Sequence, residues 1–282
     1  MRNENGEEVD GSRNILEEIA DCVRTRVERK KKEIPLETLC TKVESLYVEK
    51  QEIYHSPTGD FPFEKALKEK GMSFICEVKK ASPSKGLIAN DFPYVEIAKE
   101  YEQAGASAIS CLTEPRYFQG QDAYLEEITQ AVTIPVLRKD FFIDEYMIYE
   151  AKVLGASAIL LICAILTEDQ LKRFFAIAEE LGLSAIFEVH DEEEVQMAMN
   201  CGARIIGVNN RNLKTFELDL QTSVRLRSLV DEKVLFISES GIRTREDIQL
   251  LEQHNMNAVL IGETLMRSND KKQMLEELKG IL

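Results

Sequence analysis

From about residue 72 onward, short apolar runs alternate with longer amphipathic stretches. Between the runs, apolar residues recur at helical spacing, as at Leu171, Phe174, Phe175 and Ala178. The runs are rich in β-branched and aromatic residues, which favours strands. They are Phe74–Val78, Ala108–Leu112, Pro135–Leu137, Ala158–Cys163, Ala185–Val189, Ile205–Val208, Val234–Ile237 and Ala258–Ile261. The pattern therefore predicts eight strands separated by helices.

A short motif repeats where a predicted helix meets a strand. Gly105-Ala-Ser-Ala-Ile109 recurs as Gly155-Ala-Ser-Ala-Ile159. Each copy places glycine at a helix end just before a strand. Eight strand–helix units in one chain predict a (β/α)8 TIM barrel of the α/β class. A doubly wound open sheet is the alternative, but it more often uses fewer strands, and no G-x-G-x-x-G follows the first strand.

The first 70 residues differ from the rest of the chain, with two helical patterns followed by a polar link. Apolar residues recur at helical spacing from Ile15 to Val27, the basic run Arg29–Lys32 follows, and Pro35 marks a stop. We expect Ser12 or Asn14 to cap this helix and the basic run to be a solvated helix end. A second helix is expected over about Leu36–Leu46, followed by a polar link that includes Pro62. We expect residues 1–70 to be a helical extension and residues 71–282 the barrel, in one structural domain overall.

Composition limits the partners and the compartment. The 282 residues carry a net charge of -15, which argues against nucleic acid or an anionic membrane as partner. The six cysteines are scattered without a C-x-x-C pair, which favours a reducing compartment. The first residues do not resemble a signal peptide, and the longest apolar stretch, Ala156–Leu166, is too short to span a bilayer. We expect a cytoplasmic protein, and a monomer because no long exposed apolar stripe stands out.

Charged and polar residues stand at the ends of several predicted strands, where a buried strand has no structural need for them. The C-terminal strand ends of such barrels meet in one active site, and burying an unpaired charge is costly. One pair alone could be a salt bridge that closes the barrel end. The whole set predicts a catalytic mouth, because packed lysines and carboxylates exchange protons near neutral pH. The set is Glu77, Lys79, Lys139, Glu188, Asn209 and Glu239.

Two further groups suggest what the mouth binds. Gly241 and Gly262 follow the seventh and eighth predicted strands, where loops often bind phosphate through backbone N–H groups. The backbone amide of Glu263 could contribute, although the carboxylate of this residue would repel a phosphate. Phe118 in the second loop, with Phe141 and Leu160, could form an apolar wall for a flat ring. Core packing accounts equally well for Phe141 and Leu160.

The three histidines give little indication of a catalytic or metal-binding role. His55, His190 and His254 are isolated, with no H-x-x-x-H or H-E-x-x-H spacing. We therefore expect surface or turn roles for them and no bound metal. Two other functions remain open: a Schiff-base aldolase that uses Lys79 or Lys139, and a non-catalytic phosphate-binding protein. A mere binder would not need a lysine and two carboxylates on separate strand ends.

The strand-end residues lie in an ordered series of motifs that runs from about Ile15 to Met266. Together these motifs resemble the indole-3-glycerol phosphate synthase family, whose N-terminal extension packs across the barrel mouth. The motifs are Glu77-Val-Lys79-Lys-Ala-Ser-Pro-Ser84, Leu112-Thr-Glu114 with Tyr117-Phe118-Gln-Gly120, Leu137-Arg-Lys-Asp-Phe141, Phe187-Glu-Val-His190, Gly207-Val-Asn-Asn-Arg-Asn-Leu213, Ser238-Glu-Ser-Gly-Ile242 and Ile261-Gly-Glu-Thr-Leu-Met266.

The resemblance implies a carbon–carbon lyase, a carboxy-lyase of tryptophan biosynthesis that needs no cofactor. Its small anionic substrate would be 1-(2-carboxyphenylamino)-1-deoxyribulose 5-phosphate, and its products indole-3-glycerol phosphate, carbon dioxide and water. Lys139 would be the general acid at the substrate carbonyl. Lys79 would pair with the substrate carboxylate or act as acid in dehydration. Glu188 would be a general base or stabilise the cationic intermediate.

The resemblance also implies the remaining contacts. Glu77 would orient a lysine or take part in proton transfer, and Asn209 would hold the ribulose hydroxyls. The residues implied for phosphate are Ser82, Gly241, Gly262 and the amide of Glu263. Those implied for the substrate more widely are Ser82, Phe118, Phe141, Leu160, Arg211, Glu239 and Ser240. The basic island that receives the two anionic groups would be Lys79, Lys80, Lys85, Arg138, Lys139 and Arg211.

Overall fold

Eight parallel strands close into a barrel in the computed structural model, which describes residues 15–50, 61–212 and 215–281. Each strand pairs with the next along the chain, and the last pairs with the first from Ser73↔Ala258 to Cys76↔Ile261. The (β/α)8 prediction is confirmed and the open sheet is excluded. The strands are β1 (Ser73–Val78), β2 (Ala108–Leu112), β3 (Val136–Lys139), β4 (Ala158–Ile162), β5 (Ser184–Val189), β6 (Ile205–Asn209), β7 (Leu235–Glu239) and β8 (Ala258–Ile261).

Helices follow the strands and cover the outside of the barrel. The loop after β1 contains a short antiparallel hairpin whose two strands, Ala81–Ser82 and Gly86–Leu87, have two residues each. A 3₁₀ turn, Cys163–Ile165, follows β4. The helices of the described ranges are α1 (Ile15–Glu33), α2 (Leu36–Lys50), α3 (Pro62–Leu67), α4 (Tyr94–Gln103), α5 (Asp122–Ala131), α6 (Tyr146–Val153), α7 (Glu168–Glu180), α8 (Glu192–Asn200), α9 (Gln221–Arg227), α10 (Arg245–Gln253), α11 (Glu263–Arg267) and α12 (Lys271–Lys279).

The outer helices form where an apolar stripe has a capped start. In α7 the buried residues include Leu171, Phe174 and Ala178, which repeat at helical spacing and face the barrel. Thr167 begins the helix with a capping box, because its hydroxyl accepts from the Gln170 N–H while the Gln170 side chain accepts from the Thr167 N–H. The stripe fixes which face of the helix is buried, and the cap fixes where it starts.

The repeated glycines end helices in the left-handed region, as the motif predicts. Gly105 and Gly155 have φ values of +79° and +84°. A side chain is rarely tolerated there, and a Cβ at Gly155 would lie 2.8 Å from Thr129 Oγ1. The glycine therefore turns the chain directly from α6 into β4, which keeps the junction short.

The basic end of α1 is tied to the barrel by ion pairs. Lys30 binds Asp122 and lies 2.7 Å from Glu150 Oε1, and Lys31 lies 2.7 Å from Asp144 Oδ2. The Lys30 side chain is only 19% exposed. The expected solvated helix end is therefore wrong for Lys30, whereas the side chains of Lys31 and Arg29 remain 38% and 71% exposed.

Three other expectations for the extension have different outcomes. Pro62 begins α3 rather than lying in a link, because proline suits the first turn of a helix. The second helix runs past Leu46 to Lys50. The proposed caps Ser12 and Asn14, like most of the expected link, lie outside the described residues. No helix in the described ranges has both the length and the apolar character needed to cross a membrane.

Candidate active site

A cavity of about 400 Å³ opens at the carboxyl ends of the strands, and Ile15, Leu16 and Ile19 of α1 form part of its wall. Every predicted catalytic, substrate-binding and phosphate-binding residue lines this cavity, whereas Lys80, Lys85 and Arg138 of the expected basic island do not. All eight strands contribute, because the carboxyl ends of parallel strands meet at one face of the barrel. One lining residue from each strand in turn is Glu77, Leu112, Lys139, Ile162, Glu188, Asn209, Glu239 and Ile261.

Four charged residues form one layer across the barrel. Glu77, Lys139, Glu188 and Glu239 end or nearly end β1, β3, β5 and β7. The side chains in one layer of such a barrel come from alternate strands, so these four face the same central space. Lys139 Nζ donates to Glu188 Oε2 and to Glu239 Oε2, at 3.0 Å in each case. The layer places one ammonium between two carboxylates.

Burial and neighbouring charges shift the pKa values of these groups in different directions. Burial alone lowers the pKa of Lys139, but Glu188 and Glu239 outweigh it and raise that pKa above its ordinary value. Burial alone raises the pKa of Glu188, but Lys139, His190 and Asn209 together outweigh it and lower that pKa. Burial, with repulsion from Glu188, raises the pKa of Glu239 to about 7. The site therefore holds a firmly charged ammonium, one firmly ionised carboxylate and one carboxyl that titrates near neutrality, a set suited to proton transfer.

Two glycines make room for the charged layer. A Cβ at Gly262 would collide with the Glu77 carboxylate and lie 2.8 Å from Lys79 Nζ. A Cβ at Gly207 on β6 would collide with Glu239. Because both glycines abut charged side chains, larger residues there would displace the ion pairs. Glu77 and Lys79 themselves form an ion pair, as their shared strand face predicts.

A polar end of the cavity gathers backbone N–H groups and cations. Ser240 and Gly241 both lie in the left-handed region, at φ +67° and +86°, so the chain turns sharply after β7. Gly262 and Glu263 begin the turn into α11 beside them. The Glu263 carboxylate accepts from Arg267 Nε at 3.1 Å and lies 3.5 Å from Lys85 Nζ. Arg267 and Lys85 lower the pKa of Glu263 against the opposing effect of burial.

The opposite wall is apolar. The rings of Phe118 and Phe141 lie 6.1 Å apart between centroids and are tilted by 40°. Leu160 is 2% exposed, and Leu16 and Ile19 approach from α1. This wall leaves a slot that suits a flat ring rather than a sugar.

The expected basic island is wrong for Arg138. Its side chain is fully buried and donates to Asp122 at 2.9 Å and Glu150 at 2.7 Å, outside the barrel wall. Alternation along β3 explains this, since Lys139 points inward and its neighbour must point outward. Arg243 and Arg267 also line the cavity, although neither was predicted as a site residue. Their positions could have predicted them, since each arginine follows a predicted glycine loop by a few residues.

His190 lies in the turn after β5, as expected, but its side chain is largely buried next to Glu188 rather than at the surface. Its side chain is 15% exposed, and Nε2 lies 3.6 Å from Glu188 Oε1. His254 lies at the end of α10, with Nδ1 2.8 Å from the Leu250 carbonyl oxygen, as a turn role predicts. His55 lies outside the described residues. Within the described ranges no three His, Cys, Asp or Glu side chains are grouped so that they could hold a metal ion.

Solved structures with the same fold are only distantly similar in sequence. KGPDC from Streptococcus mutans matches with a TM-score of 0.59 and 10% identity, over 74% of this chain and 96% of that one. Thiamine phosphate pyrophosphorylase from Pyrococcus furiosus matches with a TM-score of 0.56 and 16% identity, over 74% and 94%. At such low identity these matches support the fold alone.

Sequence relatives are much closer and agree with one another. The family model described as indole-3-glycerol phosphate synthase matches residues 16–278. A protein of that name from Ruminiclostridium cellulolyticum is 54% identical over 266 residues, which is 94% of this chain and 99% of the relative. Another of that name from Lachnoclostridium phytofermentans is 51% identical over 271 residues, or 95% and 100% of the two chains.

Proposed function

The chain belongs to the indole-3-glycerol phosphate synthase family, and on that premise we propose how its cavity carries out the reaction. Its activity is that of a carboxy-lyase of tryptophan biosynthesis. It cyclises 1-(2-carboxyphenylamino)-1-deoxyribulose 5-phosphate to indole-3-glycerol phosphate, with loss of carbon dioxide and water. The observation that best supports this cavity as the site is the buried Lys139 ammonium, 3.0 Å from both Glu188 and Glu239.

The two ends of the cavity suggest how the substrate lies. The anthranilate ring would fill the apolar slot between Phe118, Phe141 and Leu160. The phosphate would occupy the polar end, held by the Ser82 hydroxyl and the N–H groups of Gly241, Gly262 and Glu263. The Glu263 carboxylate pairs with Lys85 and Arg267, which would reduce its repulsion of a phosphate bound at the amide of the same residue. The reacting carbons would then lie over the charged layer.

Ring closure needs an acid at the carbonyl oxygen. As the ring carbon that bears the carboxylate attacks the carbonyl carbon, negative charge develops on the oxygen, and Lys139 supplies the proton that turns it into a hydroxyl. Its raised pKa keeps it protonated until that charge appears. Carbon dioxide then leaves, and its bonding electrons restore the aromatic ring. The apolar wall favours this loss because it solvates the carboxylate poorly.

Dehydration needs a second acid and a base. Lys79 would first pair with the substrate carboxylate and then protonate the departing hydroxyl, while Glu188 removes a proton as the new double bond forms. Glu77 forms an ion pair with Lys79 and would orient it. Asn209, whose Nδ2 lies 3.4 Å from Glu188 Oε1, would hold the ribulose hydroxyls. Arg211, Glu239 and Ser240 would complete the pocket.

We propose that residues 1–70 are an extension packed on the mouth of a barrel formed by residues 71–282, in one structural domain. Ile15, Leu16 and Ile19 line the cavity, and Arg26 donates twice to Asp140, at 2.8 Å each, beside the catalytic lysine. The exposed large apolar residues lie on separate elements, which supports a monomer. The acidic net charge argues against nucleic acid or an anionic membrane as partner. The scattered free cysteines support a cytoplasmic enzyme.

A Schiff base at Lys139, one of the two lysines of the aldolase alternative, is disfavoured by charge. A lysine that attacks a carbonyl must be neutral, and such lysines have lowered pKa values. Glu188 and Glu239 instead raise the pKa of Lys139. Borohydride added with substrate would trap a covalent lysine adduct only in the aldolase.

The direct test is the fluorescence of the indole product formed by the purified protein, with carbon dioxide measured in parallel. We expect one carbon dioxide per indole formed and no inactivation by borohydride. Failure to form the product, or a borohydride-trapped adduct, would overturn the proposal. Replacing Lys79 and Lys139 separately by Met, and analysing the accumulated intermediate, would assign the two acid steps.

A further inference from the structure

His190 has a largely buried imidazole, and none of the proposed reaction steps uses it. It lies just after β5, two residues beyond Glu188. Its Nδ1 lies 3.0 Å from Glu194 Oε2, and its Nε2 lies 3.6 Å from Glu188 Oε1. Nε2 is buried and has no hydrogen-bond partner among the described residues. Since buried polar atoms are nearly always paired, this nitrogen needs an explanation.

The surroundings of the ring decide where its protons are. Glu194 is held in place by two hydrogen bonds. Its backbone N–H donates to Asp191 Oδ1 at 2.9 Å, and its Oε2 accepts from the backbone N–H of His190 at 2.8 Å. An ionised carboxylate can only accept, so Nδ1 must carry a proton. A bare Nε2 would then point its lone pair at the Glu188 carboxylate, which is repulsive. A protonated Nε2 is attracted to it, so the geometry favours the imidazolium.

The neighbouring charges support the same conclusion. The carboxylates that face the ring are Glu194 on α8, Glu188 on β5 and, further away, Glu239 on β7. Burial lowers the pKa of His190, but Glu194 and Glu188 outweigh it and raise that pKa above its ordinary value. Lys139 lies on the other oxygen of Glu188.

We propose that His190 is a positioning residue for the reaction: held by Glu194, it faces Glu188 as an imidazolium and fixes the direction and the charge of that carboxylate. The inference rests on the proposed role of Glu188. The proposed role also accounts for the different pKa values of the two carboxylates in the layer. Glu188 lies between two cations and stays ionised, whereas Lys139 is the only cationic group within 4 Å of the Glu239 carboxylate among the described residues, and Glu239 titrates near neutrality.

The kinetic test is His190→Gln, which keeps a polar side chain but cannot carry charge. Loss of the cation raises the pKa of Glu188, so the acid limb of the kcat–pH profile should move to higher pH. At neutral pH we expect kcat to fall roughly tenfold with KM within about twofold of wild type. His254→Gln, at the far end of α10, is the matched control and should keep the wild-type profile. An unmoved acid limb in His190→Gln would overturn the proposal.

A second measurement does not depend on that variant folding. The histidine resonances are titrated by NMR in wild type and in Glu188→Gln and Glu194→Gln. We expect the His190 pKa to lie above its ordinary value and to fall in both variants. If Glu188→Gln loses turnover while His190 titrates unchanged, this inference fails and the proposed role of Glu188 stands. If Glu188→Gln keeps full turnover, the role of Glu188 fails and the positioning role of His190 fails with it.

Discussion

The stability of the barrel should depend on pH through Glu239, because this carboxyl is buried beside an ammonium that also serves Glu188. Its side chain is 3% exposed, and its Oε1 has no hydrogen-bond partner among the described residues. Burial and the neighbouring Glu188 raise its pKa from 4.5 to about 7. A group whose pKa is higher in the folded state binds its proton more tightly there. Its contribution to stability is therefore complete below pH 4.5 and is lost as the pH rises through about 7.

The size of the effect follows from the two pKa values. Since each pKa unit corresponds to 1.36 kcal/mol, the rise from 4.5 to about 7 is worth about 3 kcal/mol in the free energy of unfolding. Glu239→Gln keeps the shape and an acceptor for Lys139 but cannot ionise. Relative to wild type, the variant should gain about 2 to 3 kcal/mol between pH 5 and pH 8.

The assay is urea unfolding followed by circular dichroism at several pH values across that range. Wild type and Glu239→Gln are compared at each pH, so that contributions from other groups largely cancel. Glu100→Gln, at an exposed position on α4, is the control and should stay parallel to wild type. A difference between Glu239→Gln and wild type that stays constant from pH 5 to pH 8 would refute the reasoning.

Three other substitutions test separate parts of the site. Gly262→Ala places a methyl group 2.8 Å from Lys79 Nζ, so kcat/KM should fall at least about tenfold, and an unchanged value would show that the loop adapts. Arg26→Met removes the Nη2 group that donates to both oxygens of the buried Asp140 carboxylate, which keeps the Thr113 hydroxyl, the Phe141 N–H and the nearby Arg138 as partners. Urea unfolding should report a loss of about 2 kcal/mol; wild-type stability would contradict the tie between α1 and the end of β3. Arg243→Met should raise KM and weaken inhibition by inorganic phosphate, each by about tenfold, with kcat little changed; an unaltered inhibition constant would exclude a role at the polar end.

Much of the fold was predictable because local rules determine it. The strands are buried along nearly their whole length, so their apolar runs stand out in the sequence, and glycines such as Gly105 and Gly155 mark the helix ends. The charged layer was predictable for a related reason. Charge is too costly at a buried strand end to occur by chance on β1, β3, β5 and β7 together.

The failures come from contacts between distant parts of the chain. The ion pairs of Lys30 join residues more than ninety positions apart, and nothing near the lysine in sequence announces them. Arg138 is different, because strict alternation along β3 would have placed it outside the barrel once Lys139 was assigned to the inside. His190 was missed because its burial depends on how α8 packs after β5, which an isolated histidine does not reveal.

The central claim is that one ammonium at the middle of the mouth drives ring closure without being needed to hold the phosphate. The measurement is the rate of indole product formation by Lys139→Ala, with inorganic phosphate binding measured on the same preparation. The account predicts a rate at least about a thousandfold below wild type, with phosphate affinity within about threefold of wild type because the proposed phosphate site is at the other end of the cavity. Near-normal turnover in Lys139→Ala would contradict it.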